Sequence, residues 1–486
     1  MYKIRKTKTA SGKTAVQVIT YINRKTKIIK HVGSASSNHR IGFLEKEAER
    51  FIKNIQPSLF GCSSTPSFET IDTKHNLLYK TLRKRYQQIF KNINHKLLQD
   101  LCVIRITEPA SKMHSLRLLK RYFGVEYSLE NLYRKLPNIL KLKKDIEKAS
   151  IKVAKEILNF DFTFVLYDVT TLHFETNKHD DLRKCGFSKD GKFHKPQILI
   201  GLIVTKEGFP VGLQVFEGNK FEGHTLLPSI LQFKQDNKVK DLTVVADAAM
   251  ISKENVAVLK QNNLNYIVGA RINNMPKETI DEIEKNIKKG KDLFRLKNNK
   301  EHLVCEFSRK RYNKDKHELE KQLKKAEVSI KSPSKILSRY KFVRKNNKDK
   351  YELNKELIDK TKKLLGVKGY ITNLEGQSDV QIVERYKQLW NVEKSFRMAK
   401  NDLEARPIYH RKEDSIKAHI LICFMAMCVS RLMEIDSNMS IKKIVENLKA
   451  VVDGEIRVNE TSETFYVPGE IKEEMKNLLK LLDLPH

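Results

Sequence analysis

The stretch "FTFVLYDVTTLHFE" (residues 162–175) sets a run of apolar and aromatic side chains directly before a carboxylate, Asp168. Such a run reads as a strand buried on both faces, and the strand is expected to end at Asp168. Downstream, "KPQILIGLIVTKEGFPVGLQVFEGN" (195–219) predicts a strand, a Lys-Glu-Gly turn and a second strand. "HTLLPSILQFKQDN" (224–237) suits a helix, and "LTVVADAAM" (242–250) is another apolar strand, ending on Asp247. "SKENVAVLKQNN" (252–263) is a helix opened by a serine cap, and "NYIVGA" (265–270) is a strand. The order β-β-β-α-β-α-β implies an α/β fold. A further strand, "KGYITNL" (368–374), leads into the helix-forming "RYKQLWNVEKSFRMAK" (385–400).

The carboxylates ask for an explanation. An ionised side chain at the end of a strand in a sheet core is costly unless paired or bound to metal. A single such Asp is ordinarily a turn or capping residue. Two of them, on strands this order can set side by side, point to a shared role. In 385–400, Tyr386, Glu393 and Lys400 recur at sevens, a spacing that drifts only about 20° per step on one α-helix. One face is therefore expected to carry all three, with Trp390, the only tryptophan, beside Glu393. The plainer alternative is an exposed helix with a Glu393–Arg397 pair four residues apart. If Glu393 joins Asp168 and Asp247, three oxygen donors suit Mg²⁺ or Mn²⁺ rather than zinc. Two such ions would clamp an in-line phosphoryl displacement.

Charge narrows the partner. The 486 residues hold 93 Lys+Arg against 59 Asp+Glu, a formal net charge of +34, which points first to nucleic acid. A cationic membrane-surface protein is the competing class. However, the longest apolar stretch, "AHILICFMAMCVS" (418–430), falls short of the about 20 residues a bilayer needs. The start "MYKIRKTKTASGK" lacks the apolar core of a signal peptide. The six cysteines form no CxxC pair and read as reduced thiols. A cytoplasmic, nucleoid-associated protein with no membrane partner is the expectation.

Residues 1–60 read as a basic β-hairpin and a helix: 1–40 hold ten Lys or Arg and no acid, and "GFLEKEAERFIKNI" (42–55) is helical. Lysines also blunt sheet edges, so a merely solvated edge fits equally. "QPSLFGCSSTPSF" (56–68) reads as a linker. Residues 61–158 read as a helical DNA-binding region. Within it, 111–124 and 128–136 carry Arg117, Lys120, Arg121, Arg134 and Lys135. They fit a helix-turn-helix-like module or ordinary helices with basic outer faces. Residues 159–270 and 368–435 form the two parts of the main α/β domain. The charged segment 271–367 is an inserted subdomain with a strand and an amphipathic helix, and 436–486 is a small tail. "SIKAHILICFMAMCVSRLMEI" (415–435) is expected as a core helix.

This order of blocks resembles the DDE transposases of insertion sequences over roughly residues 160–435. Tyr386, Glu393 and Lys400 fall in register with the family signature Tyr-x2-Arg-x3-Glu-x6-Lys. "DVTTLHFE" and "GFSKDGKFHKPQILIGL" resemble the family's first catalytic block, and a β-rich insertion before the last helix is also a family trait. The resemblance implies an RNase H-like mixed sheet with helices, interrupted by a β-containing insertion. It further implies Asp168, Asp247 and Glu393 as catalytic residues holding two Mg²⁺ or Mn²⁺ ions, the two aspartates bridging them. The partner would be double-stranded DNA, as inverted-repeat ends and target. The enzyme, a homodimer in the synaptic complex, would cut the ends and join the freed 3′-OH to target DNA. Tyr386, Arg397 and Lys400 would meet DNA, and Trp390 would stack on a lifted base or pack in the core. The signature arginine is Leu389 here, which leaves its phosphate contact to Arg385, Lys387 or Arg397. His410 and His419 fit a DNA contact or a structural role. A structure-specific metal nuclease and a repurposed, non-catalytic DNA-binding protein are the competing readings.

Overall fold

The computed structural model describes residues 2–22, 25–55, 68–176, 178–187, 191, 193–250, 253–298, 301–331, 340–346, 350–459 and 461–482. They form two compact units. The first comprises Met1–Asp72 and Glu455–Val467. Strands β1 (Tyr2–Lys8), β2 (Thr14–Ile22) and β3 (Lys25–Ala35) form an antiparallel sheet in that order. The expected hairpin thus gains a third strand, because Tyr2 and Ile4 alternate with Lys3 and Arg5 and give β1 an apolar face. That face, with Val16 and Val18, packs under Ala48 and Leu44 of helix α1 (Asn38–Ile55). Lys3, Arg5, Lys8, Lys25 and Lys27 stay exposed. The expected linker lies outside the described residues except Phe68, which opens β4 (Phe68–Lys74).

The second unit comprises Thr73–Gly454 and Pro468–His486. Five helices come first: α2 (Asn76–Phe90), α3 (Lys96–Thr107), α4 (Lys112–Phe123), α5 (Leu129–Lys135) and α6 (Lys143–Leu158). Then follow β5 (Phe164–His173), β6 (Gln197–Val204), β7 (Pro210–Glu217), α7 (Gly223–Asn237), β8 (Thr243–Ala246), α8 (Lys253–Gln261) and β9 (Asn265–Gly269). This is the β-β-β-α-β-α-β order expected. The segment after it holds α9 (Lys277–Lys288), β10 (Leu293–Asn298), β11 (Glu301–Phe307), α10 (Arg309–Lys331), β12 (Val343–Lys345), β13 (Tyr351–Leu353) and α11 (Lys355–Lys363). The chain then enters β14 (Val367–Thr372), α12 (Asp379–Lys387), α13 (Trp390–Arg397) and α14 (Glu413–Ser437). Helices α15 (Ile441–Lys449) and α16 (Glu473–Leu481) close this unit, whereas β15 (Asp453–Val458) lies mostly, and β16 (Thr464–Val467) wholly, in the first. Strands β15 and β16 pair with β4 in the order β16-β15-β4.

The main sheet has eight strands in the order β10-β11-β14-β9-β8-β5-β6-β7, parallel at β5-β8-β9 and antiparallel elsewhere. Within the segment 271–367, β11 pairs along β14, from His302↔Thr372 to Phe307↔Val367, so the segment extends the main sheet. An apolar strand, with Val304 and Cys305 buried, caps what would otherwise be an open sheet edge. Helices α2–α6 share the core of the sheet. Leu98, Leu101 and Ile104 belong to the same buried cluster as Leu166 of β5 and Phe424 of α14. Helix α14 is long and apolar enough to cross a membrane by length and composition, and it is almost wholly buried in the unit. Arg117, Lys120, Arg121, Arg134 and Lys135 point outward from α4 and α5.

Candidate active site

The parallel pairing of β5 with β8 runs from Phe164↔Thr243 to Tyr167↔Ala246. Asp168 and Asp247 are each the next residue after that last rung, so the two carboxylates leave the sheet side by side. Strand β5 does not end at Asp168, as expected, but continues to His173. The reason is β6, which pairs with it without interruption from Leu166↔Val204 to His173↔Gln197. Alternation then decides the faces. Tyr167 donates its hydroxyl to Thr225 Oγ1 (2.9 Å) on α7, so Asp168 looks to the opposite face, where α13 packs against β5.

The single helix expected over 385–400 is in fact three pieces. Helix α12 starts on a Ser378–Gln381 capping box, α13 follows after a turn at Gln388 and Leu389, and residues Met398–Asp402 form a π-helical turn. Helix α13 is anchored to the β6–β7 turn: Asn391 Nδ2 donates to Lys206 O (2.6 Å) and Ser395 Oγ to Gly208 O (2.8 Å). Those contacts bury Asn391, Val392, Ser395 and Phe396 and leave Glu393 and Arg397 exposed. Despite the breaks, Asp168, Thr170, Asp247, Glu393, Arg397 and Lys400 line one cavity of about 380 Å³.

Tyr386 lies beneath this cavity and is only 6 % exposed. Its hydroxyl donates to Asp247 Oδ1 (3.1 Å), which also accepts from Ala248 N (2.8 Å). Burial, then the charge of Asp247 and the hydrogen bond to it, and then Asp168 and Glu393, push the phenol well above its ordinary range. As placed, Tyr386 is buried and hydrogen-bonded to a carboxylate. Gly269, the last residue of β9, makes the room, since a Cβ there would sit 2.6 Å from the Tyr386 hydroxyl. Trp390 is 57 % exposed, which sets aside core packing, and it is not among the residues lining the cavity. Leu389, at the position of the signature arginine, is buried in the cavity wall, and Arg397 and Lys400 are the cations on that lining. His419 is buried.

Two site residues escaped the sequence reading. Lys368 of β14 stands 4.6 Å over the Tyr386 ring. Burial, then Arg311, lowers its pKa, while Glu306 and Asp247 oppose the shift. No spacing rule links it to the carboxylates. Gly269 did carry a signal, because a glycine inside a strand often marks a close approach.

The donor set fits a hard cation in kind: three carboxylates on one polar cavity and no thiolate or imidazole on its lining. Among the described residues, however, no three ligand-type groups stand close enough to hold an ion.

A family model described as "Transposase DDE domain" matches residues 159–429. Among solved structures, a cryo-EM structure of piggyBac transposase in a synaptic complex with hairpin DNA is similar at 10% identity and a TM-score of 0.41. The match covers 78% of this chain and 79% of that one. No curated protein sequence matches.

Proposed function

The chain belongs to the transposase DDE domain family, and on that premise we propose that it binds inverted-repeat DNA ends, cleaves them and joins the freed 3′-OH to target DNA. The observation that carries this reading is the shared cavity of Asp168, Asp247 and Glu393 with Arg397 and Lys400. We read β14 and β7-β6-β5-β8-β9 with their helices as an RNase H-like core, and β10 and β11 as strands of its insertion. Asp168, Asp247 and Glu393 would hold two Mg²⁺ or Mn²⁺ ions. When bound, such ions activate the attacking oxygen and neutralise the leaving one. Tyr386 holds Asp247 in place by its hydrogen bond. Arg397 and Lys400 offset phosphate charge beside the carboxylates. Trp390, exposed at the start of α13, is available to stack on an unpaired base. A homodimer would hold two ends together.

The test is a time course on a labelled end taken from the DNA flanking the gene. A 3′-OH nick followed by a joined product supports the reading, whereas nicking without joining assigns a nuclease. Tyr386→Phe removes a donor to a charged acceptor, an interaction worth about 1.5–3 kcal/mol. Cleavage in that variant should slow by roughly ten- to a hundredfold, with end binding unchanged. Equal loss of binding and cleavage would refute the positioning role.

The exposed lysines and arginine of β1 and β3 make the first unit a phosphate-binding surface in this reading. Changing Lys3, Arg5, Lys8, Lys25 and Lys27 to Gln should weaken end binding. The log–log salt slope should flatten by about 0.9 for each phosphate no longer neutralised. A slope equal to that of the unaltered protein would show that this sheet does not meet DNA.

A further inference from the structure

Helices α3, α4 and α14 enclose a second, smaller cavity of about 50 Å³. Arg105 of α3, Lys112 at the start of α4, His410 and His419 of α14 line it. Lys112 and His419 are each 4 % exposed. Lys112 Nζ donates to His419 Nδ1 (3.1 Å), and Nε2 of the same ring faces the carbonyl of Ala405 (3.2 Å). The Arg105 guanidinium goes to carbonyls, those of Ala110 (2.8 Å), Leu403 and Glu404. Among the described residues neither Lys112 nor Arg105 has an ion-pair partner. Glu404 is the one carboxylate-bearing residue on the lining, and it is exposed.

An ammonium buried without a counter-charge is costly. The titration of the group agrees: burial, then Arg105, holds Lys112 well below its ordinary range. Burial, then Lys112, holds His410 down to about 4 and His419 well below its usual value. The N-terminal turn of α4, capped by Ser111 at the cavity wall, adds a field of the same sign. The volume equals that of several water-sized probes at roughly 10–15 Å³ each, room for the oxygens of one phosphate.

We propose that this pocket is an oxyanion site that takes a single phosphate group. The expected source is a backbone phosphate of bound DNA, because one short stretch connects the two cavities. Lys400 and Asn401 line the carboxylate cavity, while the carbonyls of Leu403, Glu404 and Ala405 engage Arg105 and His419. Free inorganic phosphate is the other source of the same chemistry. Naming DNA rests on the transposase reading, whereas the oxyanion site does not.

The experiment compares the full chain with Lys112→Met, a substitution of similar length that removes the charge. Inorganic sulfate, whose charge is constant near neutral pH, is titrated against chloride at matched ionic strength while the melting temperature is followed. Sulfate should stabilise the unaltered protein, and Lys112→Met should weaken its apparent affinity by at least about tenfold, the effect of removing one charge-assisted hydrogen bond. Equal sulfate responses in the two proteins would overturn the site. If Lys112→Met does not fold, Lys112→Gln, which removes the same charge and keeps a polar group against His419, gives the same reading. The salt slope of end-DNA binding separates the sources. A slope flatter by about 0.9 in the variant assigns a DNA phosphate. An unchanged slope with the sulfate response lost assigns a free oxyanion. Should the unaltered protein bind no end DNA at all, the transposase reading fails while the sulfate arm still decides the site.

Discussion

Asp168→Asn, Asp247→Asn and Glu393→Gln are each expected to lower DNA strand cleavage by about a thousandfold or more, with end binding retained. All three side chains line one cavity, and each change removes a full negative charge from the set proposed to hold the ions. A loss of about 4 kcal/mol of transition-state stabilisation corresponds to that factor. Folding is not expected to suffer. Glu393 is exposed, and removing one of several like charges relieves repulsion. Asp247→Asn has a second consequence, since the Tyr386 hydroxyl then meets a neutral acceptor. Calorimetric titration with Mn²⁺ provides a readout apart from activity, and affinity should fall in each variant. Cleavage within tenfold of the unaltered protein in any one of them would remove that residue from the site.

Glu434→Ala is expected to cost about 3–5 kcal/mol of stability, read as a lower urea midpoint. Glu434 and Arg431 are both buried and pair at 2.6 Å. The same carboxylate accepts from Ile441 N (3.0 Å) and pairs with Lys394 of α13 (3.3 Å). Arg431 in turn donates to Glu207 O in the β6–β7 turn, the turn that also anchors α13. Truncating Glu434 leaves a guanidinium buried without its counter-charge, which is the costly case. The double change Arg431→Met with Glu434→Leu should recover most of the loss, because it removes both charges. A midpoint change worth less than about 1 kcal/mol for the single change would mean that water reaches the pair and screens it.

Much of the fold was legible because its signals are local. The apolar runs at 162–175, 195–219 and 265–270 predict their strands by composition alone, and Gly124 marks the end of α4 as a left-handed cap. Asp168 and Asp247 stood out because a carboxylate is out of place in such a run. Other features depend on distant partners. Strand β5 outruns Asp168 only because β6 offers a full-length neighbour. The segment 271–367 joins the main sheet only because β11 finds the edge of β14. Neither pairing leaves a trace in the spacing of the residues it joins.

The site divides in the same way. By itself the sequence determined the residue types, their order and the net charge, and with them the family resemblance, since these are properties of the chain and not of its path. The sevenfold spacing of Tyr386, Glu393 and Lys400 was visible, but its meaning was not. Tyr386, on α12, turns inward to Asp247, while Glu393, on α13 beyond the break, stays on the surface. Only the tertiary structure decided that Gly269 clears space for a phenol, that Lys368 stands over the same ring, and that Lys112 is buried against His419 without a carboxylate. The physical reason is that burial and field at a side chain are set by whatever packs around it. Tyr386 meets Asp247 across 139 residues and Lys112 meets His419 across 307, and no window along the chain contains both partners.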